Sequence, residues 1–122
     1  MPVWQHARKF ASDASELIRE SDLNRYFKLR DQMLGSSGSV MDNIAEGFER
    51  SGNREFVQFL YYSKGSCGEF RSQLYRALDA KMITEERAKS LIKDTEAISA
   101  ELHNFIQYLE RSEQKGFKYR DR

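Results

Sequence analysis

Residues 84–109 read TEERAKSLIKDTEAISAELHNFIQYL. Along them Ala88, Leu91, Thr95, Ile98, Leu102, Phe105 and Leu109 recur at alternating steps of three and four. That spacing puts all of them on one stripe of an α-helix, the seam of a bundle or coiled coil. Thr84 is suited to cap the helix, and Glu85 and Glu86 come next, where the positive helix end favours anions.

Three more segments upstream carry the same period. In the first, Trp4, Ala7, Ala11, Ala14 and Leu17/Ile18 share a face, and the polar run Ser21-Asp22-Leu23-Asn24 interrupts it. The second has Tyr26, Leu29, Met33, Ser36/Ser37, Val40 and Ile44, and ends at Gly47 or Gly52. The third opens after Asn53 as its cap, with Glu55 in the first turn. Its stripe is Phe56, Phe59/Leu60, Ser63, Cys67, Phe70, Leu74 and Ala77/Leu78. The only proline is Pro2, so no helix interior is interrupted. Nowhere do apolar and polar residues alternate between hairpin signals, so strands are not called for. Four helices with short connections predict an all-α, antiparallel up-down-up-down four-helix bundle over residues 1–111. Residues 112–122 are expected to form a flexible tail of basic and aromatic residues.

The chain has 122 residues, of which 39% are apolar and 32% charged, as expected for one globular helical domain and too apolar for a disordered chain. No run approaches the ~18 consecutive apolar residues of a membrane span, and no secretory leader pattern opens the sequence. The single cysteine, Cys67, has no partner within the chain, so a cytoplasmic, reducing location is expected. Twenty bases against nineteen acids leave a net charge of +1, weaker than the basic excess usual for nucleic-acid-binding domains. Any polyanion site must therefore be local.

Four glycines interrupt the second and third helices, Gly35 and Gly38, then Gly65 and Gly68. Each costs roughly 0.5–1 kcal/mol relative to alanine. Close backbone approach between the two helices is the expected compensation; a ligand or partner near the backbone is the alternative. Helix three also has a second apolar stripe, Val57, Tyr61, Gly68 and Tyr75, read as a surface for homo-oligomerisation against the simpler case of a wide core stripe.

Cys67 lies on the core stripe, where a free thiol acts as a small hydrophobe. His6 and His103 are far apart, and neither has the Glu-x-x-His spacing of a bundle metal site; no metal or cofactor is expected. No nucleophile–base spacing appears, so no enzyme is expected. The tail EQKGFKYRDR, residues 113–122, interleaves bases with aromatics and is suited to tracking a phosphate backbone and stacking on bases. Plain disorder and docking onto a neighbouring subunit are its alternatives.

The stretch GSVMDNIAEGF, residues 38–48, resembles the signature of the bacterial four-helix-bundle family known from 23S rRNA intervening sequences. The resemblance continues through EFVQFL at 55–60, GSCGE at 65–69 and SQLYRALD at 72–79. It implies an antiparallel bundle assembling as a ring-like homopentamer, with a related accessory protein of diversity-generating retroelements that binds nucleic acid. No catalytic residues come with it. Many relatives carry two arginines before the small-residue run of helix two, where Leu34 and Gly35 stand here.

The motif residues Asn43, Glu46, Gly47, Glu55, Phe56, Gly65, Ser66 and Glu69 are read as structural. Asn43, Glu46, Ser66, Glu69 and Gln73 are expected to pair where helices two and three meet. Two functions compete. One is a homo-oligomer binding RNA or DNA weakly through Arg50, Arg54, Lys64, Arg71 and Arg76 with the tail bases Lys115, Lys118, Arg120 and Arg122. The other is a protein-interaction scaffold without nucleic-acid affinity. Val57, Tyr61 and Tyr75 are the interface candidates.

Overall fold

A computed structural model describes the backbone of residues 1–120 and the side chains of residues 1–112. Among these residues four α-helices succeed one another: α1 (Pro2–Glu20), α2 (Phe27–Glu49), α3 (Asn53–Asp79) and α4 (Glu85–Arg120). A 3-10 turn, Asp22–Arg25, links α1 to α2, and Leu23 within it is fully buried. Helix α1 packs on α2 and α4, and α3 also packs on α2 and α4. The chain is therefore an up-down-up-down bundle closed by the α1–α4 contact, as the periodicity predicts.

The predicted stripes account for most of the core. Met33, Val40 and Ile44 of α2, Leu60, Cys67, Phe70 and Leu74 of α3, and Ala88, Ile98 and Leu102 of α4 are all fully buried. Phe10 and Phe70 meet edge to face across the bundle, ring centroids 5.0 Å apart. Helix α1 sits slightly rotated from the expected face: Val3 and Phe10 are buried, whereas Trp4 and Ala11 are half-buried. In α4, Ile106 takes the interior place expected of Phe105. Tyr26, expected on the core stripe of α2, is exposed just before that helix.

The connections are set by local backbone chemistry. Gly52 has φ +95° and is itself the N-cap of α3; Asn53, expected to cap, is the first helical residue instead. Thr84 does cap α4, its Oγ1 accepting from the Arg87 N–H at 3.4 Å. At the end of α3, Lys81 takes φ 60°, its N–H bonds the Leu78 carbonyl, and the Met82 N–H reaches back to the Ala77 carbonyl. That pair of bonds is a Schellman motif, with lysine where glycine is usual.

Among the described residues every buried side-chain nitrogen and oxygen is hydrogen-bonded. Ser36 Oγ donates to Gln73 Oε1 at 2.6 Å and Ser63 Oγ donates to the Val40 carbonyl at 2.7 Å, both joining α2 to α3. Arg71 Nε donates to Thr95 Oγ1 at 2.9 Å, joining α3 to α4.

Candidate interaction surface

The motif glycines divide into two kinds. A methyl group at Gly47 would fall 2.7 Å from Phe59 Cβ and 2.9 Å from Phe56 Cδ1, so this glycine is where α2 and α3 approach closely. Gly35, Gly38, Gly65 and Gly68 are different: a Cβ at any of them would meet nothing within 4 Å. Close approach within the chain, the expected explanation for these four, is thus overturned. Gly35, Gly65 and Gly68 lie exposed on the outer faces of their helices.

The motif's polar residues also depart from expectation. Of the five expected to pair where α2 meets α3, only Gln73 bonds across it, through Ser36. Asn43 Nδ2 donates within its own helix to the Ser39 carbonyl and hydroxyl, and Ser66 Oγ donates to the Tyr62 carbonyl. Glu46 accepts from Arg50 at 2.8 Å, and Glu55 and Glu69 are exposed. Wheel position alone places a residue beside a stripe without saying whether its side chain crosses or turns outward.

Around Gly65 and Gly68, Tyr61 and Tyr75 are about half exposed, and Tyr62, which periodicity does not single out, is equally so. Gln58 Nε2 donates to the Tyr62 hydroxyl at 2.7 Å, and Phe59 packs edge to face on its ring at 5.5 Å. Val57 packs partly against the chain's own core. The face therefore offers exposed aromatic rings beside bare backbone, the composition of a helix-packing surface.

The candidate basic residues do not converge on one place. Arg50 bonds Glu46 and stacks over Phe59 at 5.0 Å, and the bond to Glu46 raises its pKa further. Arg71 is held by Thr95. Arg54 and Arg76 are exposed and Lys64 is half-buried, but Arg54 and Arg76 stand twenty-two positions apart on α3, about 33 Å at 1.5 Å per residue. The side chains of Lys115, Lys118, Arg120 and Arg122 lie outside the described residues.

Cys67 and His6 sit away from this face. Burial pushes the Cys67 thiol up to about 11, against a smaller opposing effect of Arg71, so it is neutral near pH 7. His6 Nδ1 lies 2.7 Å from Glu101 Oε1, linking α1 to α4. No group of three or more His, Cys, Asp or Glu able to hold a metal occurs among the described residues. Nor is any helix there long and apolar enough to cross a membrane.

Fold and surface together define an all-helical bundle whose distinctive residues are spent at helix contacts and on outward faces. The family model described as 23S rRNA-intervening sequence protein matches residues 1–104, and the chain belongs to that family. It is similar to a crystal structure of a protein of unknown function from the S23 ribosomal protein family of Bacteroides thetaiotaomicron. The two share 23% identity over 85% of this chain and 97% of that one, with a TM-score of 0.78. At this identity the likeness shows the fold alone. No curated protein matches.

Proposed function

We propose that the chain is a non-enzymatic, self-assembling bundle, a homopentamer by the family resemblance, whose outer α2–α3 faces pack against further copies. One observation carries this reading: four helix-interior glycines face open space in the isolated chain. Together they cost on the order of 2–4 kcal/mol of helix stability that no contact within the chain recovers. Packing of another helix onto Gly65 and Gly68, between Tyr61 and Tyr75, offsets that cost. Sedimentation of the wild-type chain beside Gly68→Leu tests it: the wild type assembles, and the leucine variant shifts towards monomer. A wild-type monomer would overturn the reading.

Nucleic-acid binding is the proposed activity of the assembled form, weak and carried by Arg54, Lys64 and Arg76 with the tail bases, which assembly would multiply around the ring. It calls for affinity for structured RNA that collapses between about 50 and 200 mM salt, because phosphate contacts release counterions. A specific observation favours the second reading, a scaffold for another protein: Arg50 and Arg71 are already engaged within the chain. Absence of binding at the lower salt selects the scaffold.

A further inference from the structure

At the bundle end where α1 begins and α2 finishes, Trp4, Phe48, Phe56 and Phe105 surround an apolar cleft of about 410 Å³. Motif residues build it. The close approach at Gly47 sets Phe48 beside α3, where its ring meets Phe56 at 6.1 Å, and Phe56 in turn meets Phe105 at 5.4 Å. Phe48 is nevertheless 60% exposed, and exposed Glu49 lines the same cleft. Phe105 of α4 forms part of the wall, and that helix continues to Arg120. Phe117 stands twelve positions beyond Phe105, about 18 Å further along the axis.

Residues 113–120, EQKGFKYR, hold two aromatics among three bases, the complement of an aromatic cleft with an acid on its lining. We infer that residues 113–120 of a second copy fill this cleft in trans. Phe117 and Tyr119 supply the rings, and Lys118 or Arg120 meets Glu49, so that this base is withdrawn from the phosphate contacts proposed for the tail. The inference rests on the self-assembly reading and adds to it a second contact between copies, separate from the α2–α3 face.

Trp4 is the single tryptophan of the chain, so its fluorescence reports the cleft directly. The test compares full-length wild type with Phe117→Ala, reading Trp4 emission and acrylamide quenching, with sedimentation on the same samples. Phe117→Ala is expected to red-shift Trp4 emission and to lose protection from quenching. Mixing it with excess Trp4→Phe chain, which carries an intact tail and no fluorophore, is expected to restore protection by subunit exchange. Unchanged quenching in an assembled Phe117→Ala protein overturns this inference alone and points to another occupant. Loss without restoration on mixing overturns docking in trans. A monomeric wild type overturns both this inference and the self-assembly reading, and the mass distinguishes the cases.

Discussion

Gly47 of α2 and Phe59 of α3 stand so close that a methyl group on the glycine would lie 2.7 Å from the phenylalanine Cβ. The Phe56 carbonyl is a further 3.3 Å neighbour, so relief requires backbone movement rather than a rotamer change. Overpacking of this kind costs typically 1–3 kcal/mol, more than the helix propensity gained by alanine. Gly47→Ala should lower the urea midpoint by that order. Gly65→Ala, facing open space within the chain, should leave the fold equal or up to about 1 kcal/mol more stable when both variants are measured dilute enough to be monomeric. Equal losses from both would show that the two kinds of glycine are not distinct.

Ser36 and Gln73 form a buried polar pair at 2.6 Å between α2 and α3. Ser36→Ala removes the donor and leaves the Gln73 amide oxygen buried, a penalty of about 1–3 kcal/mol. Gln73→Leu should cost less, because Ser36 Oγ retains the Met33 carbonyl at 3.3 Å as partner. Denaturant titrations of the two variants give the order directly.

Lys81 holds a left-handed conformation, φ 60°, at the end of α3. Glycine adopts it without the Cβ clash that costs other residues roughly 1–2 kcal/mol, part of which returns as chain entropy. Lys81→Gly should therefore raise stability by about 0.5–1 kcal/mol, seen as a higher thermal midpoint.

Cys67 gives the bundle an alkaline dependence. Burial raises its folded pKa to about 11 from an ordinary 9.0, so the folded state holds the proton more tightly. Its contribution is complete below pH 9 and is lost as pH rises towards 11, by on the order of 3 kcal/mol at 1.36 kcal/mol per pKa unit. Stability profiles of wild type and Cys67→Ala should converge over that window, since the alanine chain lacks this loss. Parallel profiles would contradict the assignment.

The all-α class, the four helices and most of the core are legible in the sequence because steps of three and four over long segments admit one helical face. The misplacements have local causes. In α1, alanine at positions 7, 11 and 14 marks the face weakly, so periodicity points to Trp4 and Ala11 rather than to Val3 and Phe10. The candidate surface is harder to read. Tyr61 and Tyr75 stand out as a second stripe, but Gly65 and Gly68 look the same in sequence whether they touch another helix of the chain or open space. Asn43 and Ser66 bond locally, a choice that depends on side-chain rotamers that spacing does not encode. The aromatic cleft is hidden in the sequence because Phe48 falls off the stripe of α2 and becomes meaningful only when Gly47 brings it to Phe56.

The outward glycines and tyrosines make assembly the central claim, and sedimentation equilibrium of the full chain tests it most directly. Pentameric assembly predicts a species of five times the 14.3 kDa chain mass, displaced towards monomer by Gly68→Leu while helicity is retained. A wild-type chain that stays at 14.3 kDa over a broad range of concentration would contradict it.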